Sequence, residues 1–264
     1  MGPRVAPRVR RGRGSLHVFE RNLLVYKNSW VVLLSGVFEP LFYLFAVRVG
    51  IGGLVGGLQG PNGEAISYAA FVAPALLASS AMNGAMFEST MNIFFKLRYA
   101  KLYDAMLATP LSTMDIALGE IGWALARGAL YAAAFLVVMA AQGLIHSPLA
   151  VLALPSATLI GFAFGAAGMA ATTYMKSWQD FDLVNLAILV LFLFSATFYP
   201  LDVYPESLQA VAQVSPLYHG VTLIRGLTLG TPGAALLWHA LFLAAMGAGG
   251  LAVAGVRLKR ILSP

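Results

Sequence analysis

The chain has 264 residues, of which 59% are hydrophobic and 11% charged, and its formal charge is +6. A soluble domain carries about 25% charged residues, so an ordinary soluble fold is excluded. The absence of cysteine removes disulfides, a thiolate nucleophile and thiolate metal ligands.

Residues 1–14 are rich in Arg, Gly and Pro and read as a basic disordered arm. Arg10-Arg11 lacks the adjoining apolar stretch of a twin-arginine signal. Ser15–Ser29 reads as an amphipathic interfacial helix, with Leu16, Phe19, Leu23 and Tyr26 at helical spacing. Residues 30–256 then hold six apolar stretches. They are about Trp30–Val49, Ala65–Phe95, Met114–Ala141, Pro148–Tyr174, Leu183–Phe198 and Ala234–Val256. Each approaches or exceeds the roughly 20 residues that cross a bilayer. The expected fold is therefore an all-α membrane protein, residues 1–264 forming one transmembrane domain of six spans.

Charge sets the orientation. Fourteen of the 17 Lys and Arg fall in segments that share one side. They are Arg4, Arg8, Arg10, Arg11, Arg13, Arg21 and Lys27, then Lys96, Arg98 and Lys101, then Lys176, and finally Arg257, Lys259 and Arg260. Arg48 and Arg225 fall on the other side, and Arg127 lies within a span. Cation-rich short loops stay cytoplasmic, so both termini are expected inside, in a bacterial cytoplasmic membrane. Attraction to anionic lipids accounts for the positive charge without nucleic acid.

Two connecting segments stand out. Phe95–Asp115, on the cytoplasmic side, predicts a short helix over about Ala100–Ala108, stopped at Thr109-Pro110. Thr197–Pro232, on the outer side, predicts two short helices over Glu206–Val214 and Leu217–Leu227. Runs of that length cannot span and suggest re-entrant or interfacial helices.

No phosphate-binding G-x-x-x-x-G-K-[ST] pattern occurs, so the chain has no recognisable ATP site of its own. His17, His146, His219 and His239 lack metal-ligand spacing, and no catalytic constellation is visible. The intramembrane charges are sharper signals. Glu39, Glu88, Glu120 and Arg127 each cost about 2.5–3.5 kcal/mol near a helix centre and should face protein or water. Glu120 and Arg127, two turns apart on one helix, could pair as structural polar groups. Glu39 and Glu88, with the aromatics Phe194, Phe198 and Tyr199, are candidates for a translocation path. An interfacial aromatic belt is the alternative for the aromatics. Gly161, Gly165 and Gly168 suggest a close helix contact.

At this point the chain resembles the permeases of type-two ABC exporters. The cytoplasmic LYDAMLATPLSTMDIALGE (Leu102–Glu120) is similar to that family's coupling segment. The outer FYPLDVYPESLQAVAQVSPLYHGVTLIRGL (Phe198–Leu227) is similar to its Pro-punctuated external motif. The Ser-Pro-Leu-Tyr-His run looks like the branch of nodulation lipooligosaccharide and drug exporters. The resemblance implies that Lys101, Leu102, Tyr103, Asp104, Ala105, Met106, Leu107, Thr109 and Pro110 dock on a separate ATP-binding subunit. Two such subunits, holding ATP and Mg, would drive two permeases, a homodimer or a related pair. No cofactor is expected on the chain itself. The implied cargo is a drug, lipid, glycolipid or polysaccharide, moved outward. The residues alone leave two other readings open, namely a secondary transporter or channel using the buried carboxylates, and a lipid-modifying membrane enzyme.

Overall fold

The computed structural model describes residues 13–27, 38, 41–55, 57–60 and 63–262. Four of its helices are long and apolar enough to cross a membrane. They are α3 (Tyr68–Tyr99), α5 (Thr113–Ala141), α6 (Pro148–Thr172) and α10 (Ala234–Leu262). The shorter elements are α1 (Gly14–Lys27), α2 (Leu41–Ile51), α4 (Leu102–Leu107), α7 (Asp180–Leu193), α8 (Glu206–Val214) and α9 (Pro216–Leu229). A two-residue antiparallel ladder, β1 (Leu58–Gln59) with β2 (Ala65–Ile66), leads into α3.

Of the six expected spans, the described residues give helices of spanning length at four, and α2 and α7 fall at the other two. At 1.5 Å per residue, the 14 residues of α7 cover roughly 21 Å, short of a hydrocarbon core of about 30 Å. The helix ends at Leu193, and the chain turns away through Ala196, whose φ is +53°. It thus stops five residues before the expected Phe198. Helix α2 occupies the later half of the first expected span, whose residues 30–37, 39 and 40 lie outside the described ones.

Alanine makes α3 the central helix. Ala69, Ala70, Ala73, Ala75, Ala78, Ala81 and Ala85 are all buried, letting α5, α6 and α9 approach closely. Its last third widens into two π-helical turns, Glu88–Asn92 and Phe95–Tyr99. Helix α6 packs along α10, where a Cβ on Gly250 would come within 2.7 Å of the Ala167 backbone nitrogen. Of the expected glycine face, Gly165 and Gly168 meet Ala85 and Ser89 of α3, while Gly161 meets Leu125 of α5. Leu237, Trp238, Leu241, Val253 and Val256 of α10 remain exposed, as expected of a surface that meets lipid or another membrane chain.

Helix α1 lies on α5 with Gly14, Val18 and Asn22 buried, while Leu16 and Leu23 are about half exposed. Leu16, Phe19, Leu23 and Tyr26 therefore do not act as one apolar face. Phe19 and Tyr26 flank Trp123 at 5.8 and 5.1 Å, and the leucines point away from the bundle. The contact is close because residue 119 has no side chain, so Val18 rests on bare backbone.

Candidate functional site

Ten described cations mark one end of the bundle: Arg13, Arg21, Lys27, Lys96, Arg98, Lys101, Lys176, Arg257, Lys259 and Arg260. Helix α4 sits at this basic end between two fixed points. Before it, Lys101 takes a left-handed conformation (φ 45°), which turns the chain out of α3. After it, Ser112 caps α5. The Ser112 hydroxyl accepts from the Asp115 amide at 3.1 Å, and the Asp115 carboxylate accepts from the Ser112 amide at 3.0 Å. The Pro-Leu-Ser-Thr-Met-Asp run is therefore a helix start.

The candidate docking segment divides by face. Tyr103 and Met106 are buried and Leu102 and Leu107 half-buried, while Lys101, Asp104, Ala105, Thr109 and Pro110 are exposed. Tyr103 and Met106 thus anchor the segment and offer no surface to a partner. Burial, reinforced by the Glu120 carboxylate, pushes the Tyr103 phenol well above its usual 10.

Glu120 is the centre of that anchor. Its Oε2 accepts from Lys96 Nζ at 2.6 Å and from Asn22 Nδ2 at 2.9 Å. Lys96 also approaches Asn22 Oδ1 at 3.4 Å, and Arg21 donates to the same oxygen at 3.1 Å. One carboxylate therefore ties α1, α3 and α5 together beside α4.

Two turns deeper lies a second pair. Arg127 meets Glu88 at 2.8 Å, and Asn92 donates to the same carboxylate oxygen at 2.7 Å. The Arg127 guanidinium also lies 5.4 Å from the Tyr26 ring and 5.9 Å from the Tyr131 ring. The pairing expected between Glu120 and Arg127 is replaced. Each takes a partner from α3, Lys96 and Glu88 respectively. Pairing across helices neutralises both charges and joins the helices, which a pair within one helix cannot do.

Arg127 and Asn92 line a cavity of about 830 Å³ between α3, α5 and α7. Its other polar groups are amides and hydroxyls, including Ser80, Asn83, Thr90 and Asn185, set among Leu76, Phe181, Ile188 and Phe192. Glu88 lies behind this wall, 2% exposed, and reaches the cavity through Arg127 and Asn92. Phe194, Phe198 and Tyr199 lie beyond it. Phe198 meets the lining residue Phe192 edge to face at 5.1 Å, and Tyr199 stacks between Phe198 and Tyr204 at 6.4 and 5.6 Å. Glu39 lies outside the described residues.

At the end away from the cations, α8 and α9 form a broken hairpin hinged at Ser215-Pro216, close to the expected Glu206–Val214 and Leu217–Leu227. Where α7 unwinds, its carbonyls are taken up by side chains. Tyr204 donates to Leu193 O at 3.2 Å and Tyr68 to Phe198 O at 3.0 Å. Arg225 donates to Ala196 O at 2.9 Å and Phe71 O at 3.2 Å, its guanidinium 3.9 Å from the Phe71 ring. The Arg-Gly pair at the end of the external motif is thus a brace for irregular backbone.

Sequence reasoning missed Asn22, Lys96 and Asn92, the partners that make the buried charges tolerable. Lys96 counted there only as a flanking cation. Their signal was the presence of unmatched acids at similar depth.

Comparison with known proteins supports the same architecture. Residues 16–229 match the family described as ABC-2 type transporter. The chain is 33% identical over 230 residues to nodulation protein J of Rhizobium leguminosarum bv. viciae, covering 86% of this chain and 87% of that protein. It is 37% identical over 225 residues to nodulation protein J of R. leguminosarum bv. trifolii, covering 83% and 84%. For nodulation protein J of Rhizobium meliloti (strain 1021) the identity is 32% over 217 residues, covering 81% of each. With helices long enough to cross a bilayer and a family match over most of its length, the chain belongs to the ABC-2 type transporters and is a membrane transport subunit.

Proposed function

We infer that this chain is the membrane-spanning half of an ATP-driven exporter, powered by a separate ATP-binding subunit. The observation that carries the reading is the two-faced α4 segment. Lys101, Asp104, Ala105, Thr109 and Pro110 are exposed at the basic end, while Tyr103 packs behind them beside Glu120. A push on that surface would reach α1, α3 and α5 through one buried node. Two ATP-binding subunits, holding ATP and Mg, would act on two permease copies. The simplest pairing is a homodimer.

The cation-rich end faces the cytoplasm of a bacterial cell in this reading, with both termini inside. The cavity between α3, α5 and α7 suits a hydrophobic or amphiphilic cargo, because apolar walls carry a few convergent amides and hydroxyls. The cargo would be a drug, lipid, glycolipid or polysaccharide moving outward past Phe194, Phe198 and Tyr199. Proton-coupled transport is less well supported, since Glu88 and Glu120 each hold a cation within 2.8 Å.

Co-expression with an ATP-binding ABC subunit tests the reading. A stable complex with ATP hydrolysis stimulated by an amphiphile is expected. A chain that purifies alone and moves cargo down a proton gradient would refute it.

A further inference from the structure

The exporter reading makes no use of two imidazoles. His219 stands near the start of α9 and His239 near the start of α10. Their Nδ1 atoms are 2.7 Å apart and their rings 4.9 Å apart. That separation requires one nitrogen to donate and the other to accept, so the pair holds one shared proton between two neutral rings. His219 is 6% exposed and stacks on Phe242 of α10, centroids 3.9 Å apart at 19°. His239 is half-buried, which gives protons a route to the pair.

The surroundings offer little to stabilise a positive charge. Tyr218 faces both rings edge-on at 5.9 and 6.0 Å. The Gln213 backbone favours a charge on His219 less than burial opposes it. Among the described residues of α3, α6, α7 and α8, which also touch α9, no acidic side chain acts on either imidazole.

We propose that His219 and His239 form a proton-sensitive clasp, which holds the external hairpin against α10 when neutral and releases it on acidification. One added proton still leaves a facing nitrogen able to accept, but protonation of both rings turns both facing nitrogens into donors. The hydrogen bond is then lost, and two like charges stand in an apolar contact. Burial and the neighbouring His239 push the His219 imidazole down to about 4 from 6.5. A group with a lowered value in the closed form stabilises that form fully above 6.5. The stabilisation drains away as pH falls from 6.5 towards 4. Each pH unit in that window should raise the opened population about tenfold, and the whole window roughly 300-fold.

Hydrogen exchange of α9 peptides reads this directly, with the full chain in lipid nanodiscs and rates corrected for intrinsic chemistry. Protection around His219–Leu223 should fall stepwise between pH 6.5 and 4.5 in the native chain. Helix α6, which lacks histidine, should show no such step. His239→Gln, at the more exposed position, should remove most of the step, and His219→Phe should abolish it. Flat protection in the native chain overturns the clasp, as does an undiminished step in His239→Gln. The measurement uses neither ATPase nor cargo, so failure of the exporter reading would leave its outcome intact.

Discussion

Lys96 Nζ lies 2.6 Å from Glu120 Oε2, where the last turns of α3 pass the first third of α5. The Glu120 side chain is 1% exposed and the Lys96 side chain 16%. Removing one partner from such a pair leaves a buried charge and costs about 3–5 kcal/mol. Lys96→Met alone should therefore lower the unfolding temperature sharply. Lys96→Met with Glu120→Leu should recover much of the loss, because two apolar groups need no pairing. Thermal unfolding of the two variants in nanodiscs, followed by size-exclusion, distinguishes these outcomes.

The two faces of α4 predict opposite phenotypes. Asp104→Arg and Ala105→Arg should leave the chain folded yet weaken capture of the ATP-binding subunit and stimulated hydrolysis. Tyr103→Ala should instead destabilise the chain by about 3–5 kcal/mol, as truncation of a buried aromatic does. Tyr103→Phe keeps the ring and should stay near native stability, since the phenol oxygen has no hydrogen-bond partner. An uncoupled but fully stable Tyr103→Ala would mean that Tyr103 meets the partner itself.

Arg225 predicts a loss of order at a distance. Arg225→Met should free the carbonyls of Phe71 and Ala196, at about 1–3 kcal/mol for each group left unsatisfied. Arg225→Lys should rescue only partly, because a single ammonium lacks the planar fork that reaches both oxygens. Exchange in peptides over 194–204 should rise in both variants, while α5 stays unchanged.

The cysteine-free chain permits a clean topology test. A cysteine at Gly12 should resist an impermeant maleimide applied to intact cells, and one at Thr231 should react. Labelling at Gly12 from outside would reverse the orientation.

Much of the architecture was legible in the sequence. Long apolar stretches placed α3, α5, α6 and α10 to within a few residues, because burial in lipid leaves the backbone no alternative to a helix. Pro205 and Pro216 bounded α8 well for a similar reason. The end of α7 was not legible. Phe194–Phe198 holds no Pro or Gly to stop a helix, and the unwinding depends on carbonyl partners from Tyr68, Tyr204 and Arg225, distant in the chain. Partner choice at Glu120 and Arg127 was hidden too. Spacing within one helix reveals residues on a shared face, while the cations and acids of α3 become neighbours only after packing.

The two π turns of α3 carry a consequence for phase. A π turn is in effect an α-helix with one residue inserted, and each residue advances the helix by about 100°. Everything beyond Glu88–Asn92, Lys96 included, is therefore aimed by that insertion. Wound as ordinary α-helix, the same residues would swing Lys96 about a quarter-turn away from Glu120. The sequence would be unchanged, yet the lower third of the helix would present a different side to α1 and α5. The angular setting of the basic end is thus fixed by how α3 winds as much as by the chemistry of any one side chain.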